Sequence, residues 1–192
     1  SVVHATGLIL TNHHVVEDRP GVVLIDQFPP VPYRVVGNLP EYDLAILEVP
    51  PPPTPLVSLP LGRSDELFTG EPILVGGNPG GRGIIFSKGI LSSPGITRDM
   101  SALIMRQLPG DRRLRFLQFD AASNGGNSGG PLLNALGQEI GVVCAKVLAE
   151  ENSNYAIPID RVLSAARELL LPEERRDVWT GLTLDPWDLT VR

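Results

Sequence analysis

Short apolar segments rich in β-branched residues recur along this chain, and glycine or proline bounds nearly every one of them. With 20 glycines and 19 prolines among 192 residues, few stretches before residue 158 are long enough for a helix. Apolar runs of about four to eight residues between such breaks are typical of strands. The pattern therefore predicts an all-β sandwich or barrel. The segments read GLILTN, GVVLID, YRVVG, DLAILEV, EPILVGG, RGIIFSKGILSS, SALIMR, RFLQFD, GPLL and QEIGVVCAKV.

Two longer connections divide this series of segments. The first, VPPPPTPLVSLP at 49–60, contains prolines that cannot donate ladder hydrogen bonds, so we expect an extended crossover between two halves. The boundary between the halves is predicted near 50–72, and a proline-rich recognition motif is the alternative. The second connection, 93–113, is of the length that often carries function, and its middle fits a strand or a helical turn.

The pattern of apolar and charged residues changes after Pro158. Apolar residues recur at intervals of three and four, with charged residues on the other face, which predicts one amphipathic helix that ends at Pro172. We expect residues 1–171 to form the folded domain and 172–192 to form a tail that reads as a short strand and turn. The apolar positions of the helix are Ile159, Val162, Leu163, Ala166, Leu169 and Leu170.

Charge and composition exclude several classes of partner. A net charge of −6 and a pI near 5.0 argue against a nucleic-acid surface, which needs clustered Lys and Arg. The one basic cluster, at 110–115, is interpreted as solvated surface. No apolar run approaches the roughly 20 residues that span a bilayer, so no membrane insertion is expected. Because Cys144 is the only cysteine, the fold has no intrachain disulfide.

The stretch SNGGNSGGPLL at 123–133 raises the question of whether Ser128 is a nucleophile. Four glycines flank this serine, and both an ordinary turn and an oxyanion hole use such freedom. A serine hydroxyl attacks only when a base takes its proton and a buried carboxylate orients that base. Of the three histidines, two lie together in LTNHHVV, and Asp43 stands at the head of the apolar segment DLAILEV. The order along the chain is therefore His, Asp, Ser.

That order, on an all-β background, resembles the chymotrypsin-like fold. The strings LTNHHVV, DLAILEV, GGNPGG, FDAASNGGNSGGPL and NYAIPID, in this order, resemble the HtrA/DegP group of bacterial serine proteases. The resemblance implies two antiparallel six-stranded β-barrels with a C-terminal amphipathic helix. It also implies that residues 1–171 are a trypsin-like serine protease domain, and that 172–192 hold the start of a PDZ domain.

Carried over residue by residue, the resemblance makes Ser128 the nucleophile, His14 the general base and Asp43 the carboxylate that orients it. The oxyanion hole would be formed by the N–H groups of Gly126 and Ser128. His13 takes the place of a family asparagine, and we interpret it as a polar residue at a strand end rather than a metal ligand. No metal or cofactor is expected.

The same resemblance gives a weaker prediction of specificity. The primary pocket would be lined by Ala122, Ala145, Lys146 and Ala156. Because Ala122 stands where a trypsin-like enzyme has an acidic residue, a basic side chain is not the expected substrate. Small or medium aliphatic side chains are expected instead.

The function implied is that of a serine endopeptidase which cleaves unfolded or misfolded polypeptides through an acyl-enzyme, in protein quality control. The alternative is a resting or non-catalytic protease-like domain that binds unfolded segments or a partner protein. The resemblance also implies a homo-oligomer, since related proteins form trimers, and a location in the periplasm or cell envelope of a bacterium.

Overall fold

The computed structural model describes residues 1–17, 19–25, 28–51, 53–81, 83–99, 113–146, 153–170, 182–185 and 188–191. The predicted segment SALIMR lies outside these residues, as does the middle of the connection at 93–113. The other predicted apolar segments each contain a strand, and several of these strands are continuous buried runs, as in Leu44–Glu48 and Leu8–Thr11.

The first half of the chain forms an open antiparallel sheet with the strand order β1-β2-β6-β5. A short helix, α1 (His13–Val16), follows β2, and a single 3₁₀ turn (Pro40–Tyr42) precedes β6. Two further strands, β3 and β4, pair only with each other among the described residues. The strands are β1 (Val2–His4), β2 (Leu8–Thr11), β3 (Val22–Val23), β4 (Val31–Pro32), β5 (Arg34–Leu39) and β6 (Leu44–Glu48).

Of the two barrels that the sequence predicts, the described residues therefore show one. Among the described residues of the first half, β3 and β4 are each two residues long and pair only with each other, so no closed barrel is seen there. Pro29 and Pro30 precede β4, and Pro32 lies within it; none of the three has an N–H to extend a ladder.

The second half forms a closed six-stranded barrel with the order β10-β11-β12-β9-β8-β7. Its interior is filled by buried apolar side chains, among them Ile73, Leu91, Phe119, Leu132 and Ile140. The strands are β7 (Pro72–Gly77), β8 (Ile85–Asp99), β9 (Arg113–Phe119), β10 (Pro131–Asn134), β11 (Glu139–Lys146) and β12 (Asn154–Pro158).

A helix, α2 (Ile159–Leu170), begins directly after β12 and packs against both halves. Its buried residues Ile159 and Val162 share one core with Leu39 and Leu44 of the first half. The seam between the halves is thus apolar where α2 covers it. In the tail, β13 (Leu182–Asp185) and β14 (Asp188–Val191) pair as an antiparallel hairpin.

The proline-rich connection joins the edge of one half to a strand of the other. Leu59 N–H donates to Val2 O at 3.0 Å in β1, and Pro60 O accepts from Glu139 N–H at 2.8 Å in β11. Glu139 is fully buried here, and Ser1 Oγ donates to its Oε1 at 2.9 Å. Burial raises the pKa of the Glu139 carboxyl above its ordinary value.

Candidate active site

His14 and Asp43 form a directly bonded pair at the seam between the halves. His14 Nδ1 lies 2.7 Å from Asp43 Oδ2 and 2.9 Å from Oδ1. The backbone N–H of His14 also donates to Asp43 Oδ1 at 3.0 Å. The carboxylate is fully buried, whereas the His14 side chain is 25% exposed. The carboxylate therefore engages Nδ1, which leaves Nε2 as the nitrogen that can exchange a proton with a substrate or a hydroxyl.

The backbone at Asp43 is held in the left-handed region, with φ 53° and ψ 41°. Its N–H donates to Pro40 O at 3.1 Å, which closes the 3₁₀ turn. Its carbonyl accepts from Asn12 Nδ2 at 3.0 Å and from His13 N–H at 3.2 Å. Asn12 is fully buried, and the sequence interpretation gave it no role; the signal available was its position between a strand end and the two histidines.

Ser128 lies in the turn that precedes β10. This turn is fixed to β11 because Gly129 N–H donates to Val143 O at 2.8 Å, and Val143 N–H donates to Gly130 O at 2.9 Å. Ser128 Oγ donates to Cys144 O at 3.5 Å. Within the described part of the chain, no hydrogen bond joins this hydroxyl to His14.

The Ser128 turn also contacts the strand that leads to His14. Gly129 has φ +78°, and a Cβ at this position would overlap Thr11 Oγ1 and lie 3.3 Å from Asn12 N. Thr11 is the last residue of β2, immediately before Asn12 and α1. The turn of one half and the strand end of the other are therefore in direct contact.

In the loop before Ser128, position 126 requires glycine because of its positive φ and because a neighbouring backbone leaves no room for a Cβ. Gly126 has φ +102°, and a Cβ there would lie 2.7 Å from Asn78 O. The N–H groups of Asn127, Gly129 and Gly130 each donate to a backbone carbonyl. Among the described residues, the N–H groups of Gly126 and Ser128 have no such acceptor.

The predicted pocket residues lie in two environments. Ala122 is exposed, and its carbonyl accepts from Ser87 Oγ at 2.6 Å. Ala156 is fully buried within the barrel core. Ala145 and Lys146 lie in β11 opposite Tyr155 and Asn154, and their side chains are outside the described residues. The pocket stays a prediction.

The remaining histidines have local partners. His13 Nδ1 lies 2.7 Å from Asn38 Oδ1, and His4 Nδ1 lies 2.7 Å from Thr6 Oγ1. No group of three His, Cys, Asp or Glu side chains suited to a metal ion occurs in the portion of the chain that the structure describes. In the same portion, no helix is long and apolar enough to cross a membrane.

Comparison with known proteins identifies the family. The profile of the trypsin-like peptidase domain matches residues 1–142. The chain belongs to this family. It is of the HtrA type, as the sequence motifs predicted, because its relatives and structural neighbours carry that name or the related name DegP.

Two curated relatives and one solved structure illustrate the similarity. A probable periplasmic serine endoprotease, DegP-like, from Pseudomonas putida is 32% identical over 95% of this chain and 37% of its own length. The putative serine protease HhoB from Synechocystis sp. is 36% identical over 96% of this chain and 44% of its own length. The HtrA-type protease AlgW with decapeptide has a TM-score of 0.73 at 30% identity, over 96% of this chain and 55% of that one. The chain thus spans less than half the length of these curated relatives.

Proposed function

We propose that this domain is a serine endopeptidase in which Ser128 is the nucleophile, His14 the general base and Asp43 its orienting carboxylate. The observation that carries the proposal is the hydrogen bond of 2.7 Å between His14 Nδ1 and the fully buried carboxylate of Asp43. A carboxylate that is buried without a partner would be very costly, and here the imidazole is that partner. The bond orients the ring of His14 with Nδ1 toward Asp43. Membership of the trypsin-like peptidase family and the names of the relatives support the same activity.

The proposed reaction has two stages. His14 Nε2 takes the proton from Ser128 Oγ as that oxygen bonds to the carbonyl carbon of the peptide, and Asp43 stabilises the imidazolium. The N–H groups of Gly126 and Ser128 donate to the oxyanion, where each such donor is worth roughly 3 to 4 kcal/mol. The C–N bond breaks as the imidazolium protonates the leaving amine, and water then hydrolyses the acyl-enzyme by the same path.

A second candidate is a resting form of the domain, which binds polypeptide without cleaving it. The observation that favours it is that Ser128 Oγ lies 3.5 Å from Cys144 O and, among the described residues, has no hydrogen bond to His14. In the active enzyme this hydroxyl would donate to His14 Nε2 instead. The resting form and the active enzyme would then differ in the hydrogen-bond partner of Ser128.

The proposed substrates are unfolded or misfolded polypeptides, and the proposed role is protein quality control. Ala122, Ala145, Lys146 and Ala156 would line a pocket for small or medium aliphatic side chains. The neighbour AlgW is described with a decapeptide, and relatives are named periplasmic endoproteases, which supports a peptide substrate and an envelope location. We propose a homo-oligomer without metal or cofactor, as in related proteins.

The direct test is labelling with a fluorophosphonate, which reacts only with an activated serine. We expect labelling of the wild-type chain at Ser128, located by mass spectrometry, and none of Ser128→Ala. Ser123→Ala is the matched control, because Ser123 is a buried serine of the same loop and should leave labelling intact. Labelling together with casein cleavage supports the endopeptidase. A folded chain that binds casein without labelling or cleavage supports the resting form instead.

A further inference from the structure

Outside the proposed site, one side-chain contact crosses the seam next to Asp43. The Arg161 guanidinium lies over the ring of Tyr42, with its carbon 4.7 Å from the ring centroid. Arg161 belongs to the first turn of α2, and Tyr42 is the last residue of the 3₁₀ turn in the first half. Arg161 is exposed and the Tyr42 ring is half-buried. This is the geometry of a cation–π contact.

Tyr42 precedes a residue whose backbone conformation is unfavourable. Among the described residues, Asp43 and Glu17 are the only residues other than glycine with positive φ. A residue with a Cβ holds that conformation only when its surroundings impose it. At Asp43 the constraint includes the bond from its N–H to Pro40 O, which spans Tyr42, and the packing of the Tyr42 ring against the core under α2.

We propose that Arg161 is a positioning residue that acts through Tyr42 to hold the carboxylate of Asp43 against His14. The inference rests on the proposed function and extends it to the helix. Helix α2 is anchored separately, since Ile159 and Val162 are buried in the shared core and Asp160 is bonded to Ser64. Loss of the Arg161 side chain therefore leaves the helix in place and removes only its contact with the turn.

The test compares four substitutions in the same chain. Arg161→Gln and Tyr42→Leu remove the cation and the ring, whereas Arg161→Lys and Tyr42→Phe retain them. We expect the first two to lower kcat/KM about two- to five-fold, the range of an exposed contact of this type. KM should not change, and the second two should retain most of the activity.

The pH profile separates positioning from a merely structural role. When Asp43 holds His14 less firmly, the imidazolium is less stable, so the rise of kcat/KM should move to lower pH in Tyr42→Leu, which removes no formal charge. The other titratable groups close to the pair, His13 in α1 and Glu41 in the same turn, are present in every variant. Arg34→Gln is the matched control, because it removes an exposed arginine bonded to Glu48 in the same sheet and should leave the profile unchanged.

A second readout does not need activity. The proton on His14 Nδ1 should give a downfield NMR signal because it is bonded to the carboxylate, and Asp43→Asn identifies that signal. We expect Arg161→Gln and Tyr42→Leu to speed its exchange with water and Arg161→Lys to restore the wild-type rate. If Arg161→Gln matches Arg34→Gln in exchange and Tyr42→Leu keeps the wild-type pH profile, the inference is wrong. If the wild type is neither labelled nor active, the proposed function fails, while the exchange rates still decide the role of Arg161.

Discussion

The two halves of this domain hold their parts of the proposed site by different means. The second half is a closed barrel, and backbone bonds between Gly129, Gly130 and Val143 fix the turn of Ser128 to one of its strands. The first half is an open sheet, and its His14–Asp43 pair depends on individual hydrogen bonds: Asn12 and His13 donate to Asp43 O, and Asp43 N–H donates to Pro40 O. The comparison teaches that the nucleophile is positioned by a ladder, whereas the base is positioned by a few polar contacts that can be removed one at a time.

The most severe changes remove the proposed chemistry from each half separately. Ser128→Ala should lower kcat by about 10⁶-fold and Asp43→Asn by about 10⁴-fold, because the asparagine amide donates to Nδ1 and leaves the proton on Nε2, where the base can no longer accept one from Ser128. Single-turnover kinetics on a peptide ester measures both. Thermal melts serve as the control, since Ser128→Ala should leave Tm unchanged. Equal residual activity in the two variants would show that the carboxylate of Asp43 contributes as much as the nucleophile.

Gly129→Ala tests whether the contact between the halves is tight. Gly129 combines positive φ with a clash against Thr11, whereas Gly137 has φ +75° with open space around it. Gly137→Ala should therefore cost only the conformational term, roughly 1 kcal/mol of unfolding free energy. Gly129→Ala should cost about 1 to 3 kcal/mol more and lower activity as well. Urea denaturation measures the free energy of unfolding of both variants. Equal decreases would mean that Thr11 and its neighbours move to accommodate the added Cβ at little cost.

Asn12→Ala and Asn154→Ala compare a buried asparagine in each half. Asn12 donates to Asp43 O, and Asn154 donates to Ala121 O at 2.9 Å in the barrel. Each substitution leaves a buried carbonyl short of a donor and should cost about 1 to 3 kcal/mol of stability. Only Asn12→Ala should also lower kcat/KM at temperatures where both variants are folded. An equal loss of kcat/KM in Asn154→Ala would contradict the distinction between ladder and single contacts.

Glu139→Gln gives the smallest expected effect and probes the seam itself. Burial raises the pKa of Glu139, so the stability that this carboxyl contributes is fully present below its unfolded pKa and is lost as pH rises through its folded pKa. The amide keeps an acceptor for Ser1 Oγ without a charge. Glu139→Gln should therefore raise Tm relative to wild type, by an amount that grows with pH and vanishes in acid. Glu48→Gln, at an exposed and paired carboxylate, should show no such gain.

The sequence predicted most strands and the residues of the proposed site for physical reasons. Short apolar runs between glycine and proline breaks indicate buried strands, and the strings around His14, Asp43 and Ser128 are local. Closure of a barrel is not local, so the short pairing of β3 with β4 could not be derived from periodicity. The contact of Tyr42 with Arg161 joins positions far apart in sequence, and neither residue belongs to a recognisable motif. Cys144 contacts Ser128 through its backbone carbonyl, and a sequence pattern of side chains does not predict such a backbone contact.

The open sheet of the first half leaves β5 as an edge strand, since the described order ends there. A register shift between Val35 and Gly37 and the exposed Arg34 blunt this edge, and α2 packs beside it. During synthesis, however, the ribosome makes α2 after every strand of both halves. The edge of β5 therefore stays uncovered in the nascent chain from about residue 40 until the helix emerges. During that interval only the register shift, Arg34 and cellular chaperones protect the edge from aggregation.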